Sequence, residues 1–481
     1  MFVLIKIRFI KMYKYCCFVF LVLCMGSCVK VKDIYEPIEF VSYEYPYHAE
    51  NVGVDCELIV HLNNNELNNN IDLQVPFLKY NKSWLMLLTQ DDCVHSAFCN
   101  TWAAINGKPL YTNYFYNIEH LVVGDLPPGD YRLNKTLGST DGTGKEVRFA
   151  FTTTLAPEHE WMNETSEVRV GYKADYYRFY KKNGLTWNNV KIMLNYGVGI
   201  AFHDVSTADV NNIDSIVAHY KIAQDLIFTK LNGRGCKVLA EPNGNYDYVK
   251  AALVYDPIQI MTAQGNAKET LYPFKVVSDL CKGLYNRFDN EDPNSYRSLI
   301  VDNLNLDKLE KEDRKAIHVL AHSTDYKWVS FLEWINDQYG KDGDDSVWFP
   351  SMEEYYEYNY YRIHSKIETA INGNILKIKI HMPAGQYFYY PSITLNLKGI
   401  RAENIQSIQT DDAITGFSYG NYDEGTMLNI DCFKYLYERA QFFCDQYLAN
   451  PTDDNLTDAL YFINKLKESD QKQELLRRIG R

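Results

Sequence analysis

Short continuous apolar runs, each ending in polar residues, recur through the middle of the chain. Trp84-Leu85-Met86-Leu87-Leu88-Thr89 ends at Gln90-Asp91-Asp92, and Val198-Gly199-Ile200-Ala201-Phe202 ends at His203-Asp204. Cys236-Lys237-Val238-Leu239-Ala240 leads into Glu241-Pro242-Asn243-Gly244, and Ile317-His318-Val319-Leu320-Ala321 leads into His322. Each run is too short for a helix and does not alternate, which predicts a strand buried on both faces. Helical patterns accompany most of them. Trp187 to Tyr196 reads as a helix, and Ile213, Ile216, Val217, Tyr220 and Ile227 fall on one face of another that stops at Asn232-Gly233. Trp328, Phe331, Leu332 and Ile335 form a third face before Gly340. Four buried strands, most followed by a helix, predict an α/β fold built on a parallel barrel, whose strand-end polar residues gather at one mouth.

The flanks have a different texture. Alternating segments such as Leu58-Ile59-Val60-His61-Leu62, separated by Asn63-Asn64-Asn65 and Asn68-Asn69-Asn70, predict a small β module over 28–79. The barrel is expected over 80–365, with a β-rich insertion at about 100–160 marked by the turn signals Leu126-Pro127-Pro128-Gly129 and Asp141-Gly142-Thr143-Gly144. Alternation returns in Leu376-Lys377-Ile378-Lys379-Ile380 and Ile393-Thr394-Leu395-Asn396-Leu397, which predicts a β-sandwich-like module over 366–430. Two amphipathic helices, around Phe433–Leu448 and Leu456–Leu466, are expected in the closing segment 431–481.

Residues 1–27 have the layout of an export signal: Lys6, Arg8, Lys11 and Lys14, then an apolar run from Cys16 to Met25, then Gly26 and Ser27 before Cys28. The apolar run is about half of the ~20 residues a spanning helix needs. Loss of this segment would take the net charge from −13 to about −17. So acidic a body repels phosphate backbones, and nucleic acid is not expected as a partner. Seven cysteines remain beyond Cys28, an odd number with no CxxC pair, so neither a zinc ribbon nor a disulfide scaffold is indicated. An exported location would permit a Cys93–Cys99 bridge. Tyrosine is abundant, 39 of 481, with a cluster at Tyr355, Tyr356, Tyr358, Tyr360 and Tyr361 that suits sugar stacking but reads mainly as core.

Adjacent carboxylates at a buried strand end, Asp91 and Asp92, resist joint ionisation unless one holds a cation or moves a proton. The ordered set Leu87-Leu88-Thr89-Gln90-Asp91-Asp92, Gly199-Ile200-Ala201-Phe202-His203, Ala240-Glu241-Pro242-Asn243-Gly244 and Val319-Leu320-Ala321-His322 resembles the polysaccharide deacetylase domain (NodB homology, carbohydrate esterase family 4) over about residues 80–360. That family's motifs are T-F-D-D-G, H-[ST]-x-x-H, R-x-P-[YFN]-G and a final Leu-x-His. Leu23-Cys24-Met25-Gly26-Ser27-Cys28 likewise resembles the lipobox of bacterial lipoproteins, which implies lipidation at Cys28 and a membrane anchor in the cell envelope, on its periplasmic or outer face.

The resemblance implies a distorted (β/α) barrel of the NodB-homology type. It implies a divalent metal, often zinc, and removal of acetyl groups from an acetylated glycan. Asp91 would be the general base, Asp92 and His203 metal ligands, His322 the general acid, and Pro242, Asn243 and Gly244 part of the substrate rim. The departures are specific. Thr207 stands where the second metal His belongs, leaving His95 or Asp204 as compensating ligands, and Ala240-Glu241 precede Pro242 where an Arg usually steadies the base. His318 and His322 cannot chelate one ion from a strand, along which four residues span about 13 Å. His219 and His364 read as structural. The expected function is a metal-dependent, envelope-anchored deacetylase, and the alternative is a catalytically degenerate carbohydrate-binding lipoprotein on the same fold.

Overall fold

In the computed structural model of the chain, the described residues are 34–35, 40–47, 53–63, 72–110, 114–117, 131–163, 168–170, 179–182, 184–203, 212–265, 269–275, 279–305 and 308–481. The export segment, Cys28, Asp204 and Thr207 lie outside them. No described helix is long and apolar enough to cross a membrane.

Ahead of the barrel lie β1 (Val54–Leu62) and β2 (Leu73–Gln74). Seven parallel strands follow: β3 (Trp84–Gln90), β4 (Thr152–Leu155), β5 (Gly199–Phe202), β6 (Val238–Ala240), β7 (Ile260–Ala263), β8 (Gly283–Asn286) and β9 (Ile317–Ala321). From β3 to β8 each pairs with the next, and β9 pairs back onto β3. Phe288, just beyond β8, donates its N–H to His318 O (2.8 Å) and accepts from Leu320 N–H (3.0 Å). These bonds bring the ends of the sheet together, so the seven strands make a nearly closed distorted barrel. A short strand, β10 (Val347–Trp348), adds to β3.

The four apolar runs are β3, β5, β6 and β9. The other three barrel strands carry weaker signals. β4 reads Thr-Thr-Thr-Leu and falls at the end of the segment read as an insertion, yet all four residues are buried. Its hydroxyls are satisfied internally, since Thr152 Oγ1 accepts from Met352 N–H (2.9 Å) and Thr154 Oγ1 from Cys93 N–H (3.2 Å). A polar side chain enters a core when its hydrogen bonds are met there.

Helices α1 (Trp187–Asn195), α2 (Ile213–Lys230), α3 (Tyr246–Val254), α4 (Pro293–Asn303) and α5 (Tyr326–Tyr339) connect or follow the barrel strands. Side chains fix their starts. Thr186 forms a capping box with Asn189, Asn212 accepts from Ser215 N–H, and Asp325 accepts from Lys327 and Trp328 N–H. Thr186→Ala is expected to cost about 1 kcal/mol, read from the midpoint of urea unfolding at constant slope.

Helix α6 (Met352–His364) closes the barrel at the amino-terminal ends of its strands. Its Glu353 accepts from Ile200 N–H (3.1 Å) and pairs with Arg234 (2.6 Å), and Glu357 pairs with Lys237 (2.6 Å), all four charged side chains being buried. Tyr355, Tyr356, Tyr358 and Tyr361 are buried on this helix, so most of the tyrosine cluster is core. His364, at its end, bonds Asp279 (3.1 Å), and His219 on α2 bonds Glu158 (2.6 Å).

The segments read as an N-terminal β module and a C-terminal sandwich interleave. The later strands are β11 (Lys366–Asn372), β12 (Ile375–Met382), β13 (Ser392–Lys398), β14 (Ile405–Thr410), β15 (Gly416–Tyr422) and β16 (Gly425–Asp431). They form antiparallel sheets in the orders β11-β12-β1-β14 and β15-β16-β13-β2, so the early strand β1 lies inside a sheet of late ones. Leu58, Val60, Ile378, Ile380, Ile393, Leu395 and Leu428 fill one shared core. The chain ends in three helices where two were expected: α7 (Leu436–Ala449), α8 (Asp453–Lys465) and α9 (Asp470–Arg478). Phe443 of α7 and Phe462 of α8 stack at 4.1 Å and join the barrel's own core around Tyr196. Cys93 and Cys99 are buried and are not bridged to each other, and burial pushes the Cys93 thiol up to about 12.

Candidate active site

The carboxyl ends of β3, β5, β6, β8 and β9 bring Asp91, Asp92, His203, Arg287 and His322 to one mouth. Asp91 continues β3 by donating its N–H to Ala321 O (2.8 Å), and its side chain is 1% exposed. A carboxylate so deeply buried needs a counter-charge. Arg287 supplies it, its Nη1 donating to Asp91 Oδ1 (2.7 Å) while Nη2 donates to Glu241 O (2.9 Å). The remaining Asp91 oxygen lies 3.9 Å from His203 Nε2.

Immediately after Asp91 the backbone turns through left-handed geometry at Asp92 (φ 60°) and Cys93 (φ 49°). Two consecutive non-glycine residues in that region cost of the order of 1–3 kcal/mol each and persist where surrounding contacts hold them. The turn sets Asp92 Oδ1 3.4 Å from His203 Nε2 and Asp92 Oδ2 3.9 Å from His322 Nε2. Hydrogen bonding from His203, working against partial burial, holds the Asp92 carboxyl below its usual range, with the His203, His322 and Arg287 charges helping. For His203, burial acts to lower the pKa, but the Asp91 charge and the Asp92 hydrogen bond outweigh it and the pKa is raised. The His203 Nδ1–H donates to Ala240 O (2.8 Å), which orients Nε2 toward the two carboxylates.

Three electron-rich atoms, Asp91 Oδ2, Asp92 Oδ1 and His203 Nε2, therefore face one another, and a proton or a cation between them relieves the repulsion. Nδ1–H donation to a carbonyl is also the usual second contact of a metal-bound imidazole. Asp92 and His203 thus fit as an oxygen and a nitrogen ligand. Among the described residues no group of three or more His, Cys, Asp or Glu side chains is arranged to hold a metal. His95 is buried edge-on against Phe98 (5.7 Å). The other compensating candidate, Asp204, and Thr207 lie outside the described residues.

On the opposite side of the mouth, His322 Nδ1 hydrogen-bonds Glu291 Oε1, and both side chains are partly exposed. Pro242, Asn243 and Gly244 form the turn after β6, with Asn243 (φ 54°) and Gly244 exposed at the rim. His318 is inside the barrel beside Thr89 Oγ1 (2.7 Å), and burial with the nearby Arg287 charge pushes its pKa down to about 3, so it is a neutral core residue.

Arg287 and Glu291 were missed in the sequence. Both follow β8, whose Gly-Leu-Tyr-Asn has no clear strand signature, and the lone arginine at its end was the available signal. Arg287 reaches Asp91 from two strands beyond β6, where the resemblance left the steadying arginine missing.

No curated protein matches this chain. Among solved structures, the glycoside hydrolase family 30 subfamily 8 xylanase Xyn30A from Clostridium acetobutylicum aligns at a TM-score of 0.25 and 8% identity, over 75% of this chain and 99% of that one. A likeness that low bears on neither fold nor activity. A family model described as "Putative polysaccharide deacetylase" matches residues 56–480, from within β1 to the final helix, and so takes in the barrel, both β sheets and the helical end together. On that match the chain belongs to this polysaccharide deacetylase family.

Proposed function

We propose that the protein hydrolyses acetyl groups from an acetylated polysaccharide or oligosaccharide, and that it works at the cell envelope, tethered through a lipid on Cys28. The observation that carries the chemistry is the buried Asp91–Arg287 pair set beside Asp92 and His203, with the His322–Glu291 pair facing them. The tether rests on the amino-terminal sequence alone.

Asp91, held in place by Arg287, takes a proton from water as the water oxygen attacks the acetyl carbonyl. His322 gives a proton to the departing amine or alkoxide as the carbonyl–heteroatom bond breaks, with Glu291 orienting the ring through its contact to Nδ1. Asp92 and His203 would hold a divalent ion, zinc being the expected one, which supplies Lewis-acid polarisation of the carbonyl. Acetate and a free amine or hydroxyl on the sugar are the products.

One observation favours a second reading, a carbohydrate-binding protein without turnover: only two ligands of the expected metal set converge among the described residues. Acetate release from N-acetylated and O-acetylated oligosaccharides, with divalent ion added, separates the two. Activity that a chelator abolishes and that His322→Gln lowers by about 10²-fold or more supports the hydrolase. No acetate from either class of substrate with metal present would sink it.

A further inference from the structure

A polar cavity of about 90 Å³ lies at the other end of the barrel from the carboxylate pair. Its lining precedes the strands: Lys79 and Tyr80 come before β3, Arg148 before β4, Asn195 and Gly197 before β5, and Arg234 before β6. The sandwich contributes Asp431, and α7 and α8 contribute Arg439 and Lys465, so three parts of the molecule meet there. An adjoining cavity of about 70 Å³ shares Lys79, Tyr80, Asp431 and Lys465. At roughly 10–15 Å³ per water, the larger cavity has room for about six to nine waters, which is the space of one sugar ring.

Charge and strain both point to a ligand. Five basic side chains line the larger cavity against two acidic ones, Glu354 and Asp431, in a protein of net charge −13. Arg148 is committed to Asp458, Arg234 to Glu353 and Lys79 to Glu354 (2.9 Å). Arg439 and Lys465 have no carboxylate partner among the described residues. Arg439 is 8% exposed, donates from Nη1 to Asn195 O (3.0 Å), and has no acceptor for its Nε. Lys465 packs over the Tyr461 ring at 4.7 Å.

Tyr80, which lines both cavities, is held at φ 61°, ψ 21°, a region that bulky residues avoid. Its N–H donates to Thr394 Oγ1 (3.1 Å), and Lys79 sits over its ring at 5.1 Å. Strain of this kind is characteristic of ligand clamps. An aromatic face beside cations that lack a carboxylate partner among the described residues suits a ring that carries an anionic group.

We propose that this cleft is a second glycan site, for an acidic sugar whose ring packs on Tyr80 and whose carboxylate meets Lys465 and Arg439. It is distinct from the catalytic mouth and holds a part of the glycan remote from the bond being cleaved. Calorimetric titration of the full chain with glucuronic acid, and with glucose for comparison, tests it. Saturable glucuronate binding is expected, weakened about tenfold or more by Lys465→Gln and by Tyr80→Gly, and unchanged by His322→Gln at the catalytic mouth. Lys465 is partly exposed, and glycine adopts the Tyr80 backbone without strain, so both variants are expected to fold; unchanged thermal melting checks this. Four results overturn the proposal: no saturable glucuronate binding, glucose binding of equal strength, glucuronate binding that survives both variants, or binding abolished by His322→Gln.

Discussion

Asp91→Asn is expected to lower acetate release by about 10²–10⁴-fold, because an amide at that position cannot accept the water proton. The substitution has a second consequence. Arg287 is fully buried, and its short contact to Asp91 is its one ion pair among the described residues. Leaving that guanidinium without a counter-charge is expected to destabilise the protein by about 3–5 kcal/mol. Activity must therefore be measured per folded molecule. The double variant Asp91→Asn/Arg287→Met separates the two effects: removing both charges is expected to restore much of the stability and none of the rate. A single Asp91→Asn variant that keeps its rate within tenfold of the wild type would exclude Asp91 as the base.

The largest purely structural effect is expected at Asp458 on α8. This carboxylate is 4% exposed, and it accepts from Lys108 Nζ (2.6 Å), Arg148 Nη1 (3.0 Å) and Tyr196 Oη–H (2.8 Å). It ties the helical end of the chain to Arg148 in the segment entering β4 and to Tyr196 ahead of β5. Asp458→Asn takes the carboxylate away from buried Lys108 and leaves Arg148 with the longer contact to Glu146 (3.5 Å), and it is expected to cost about 3–5 kcal/mol in urea unfolding at neutral pH.

The same group predicts an acid dependence. Burial acts to raise the Asp458 pKa, but the Lys108 and Arg148 charges outweigh it and hold the carboxyl below its usual value. A group depressed in the folded state contributes fully above its unfolded pKa, about 3.9, and loses its contribution as pH falls through the folded value. Wild-type stability should therefore drop on acidification below about pH 4, and the drop should be smaller in Asp458→Asn. Equal acid sensitivity in both proteins would show that the network does not act through this carboxylate.

The parts of the fold that were legible in the sequence are those where hydrophobicity alone does the work. Trp84 to Thr89 and Ile317 to Ala321 are buried on both faces and read as unbroken apolar runs. Thr152–Leu155 is equally buried, but its interior contacts are hydroxyl hydrogen bonds to backbone donors from far along the chain, which no local pattern announces. The site divides in the same way. Asp91, Asp92, His203 and His322, which the structure brings together, stand out in the sequence because each follows a legible strand. Arg287 and Glu291 follow β8, which lacks a clear signal. A barrel makes the ends of all its strands neighbours, so a cation needed beside Asp91 can come from any of them, and linear motif order does not constrain which.

The placement of β1 between β12 and β14 sets a schedule for making the protein. Val54–Leu62 leaves the ribosome early, but both of its hydrogen-bonding edges wait for partners that begin roughly 300 residues later, a delay of about 15–60 s at ordinary elongation rates. Through that interval an apolar strand with two open edges is available for wrong pairings. All the barrel strands are synthesised before the later sandwich strands, and the first strand is among the last to find its place. A newly made chain thus depends on something shielding its beginning until its end arrives, and agents that slow elongation should raise its aggregation more than that of a protein whose sheets form from adjacent segments.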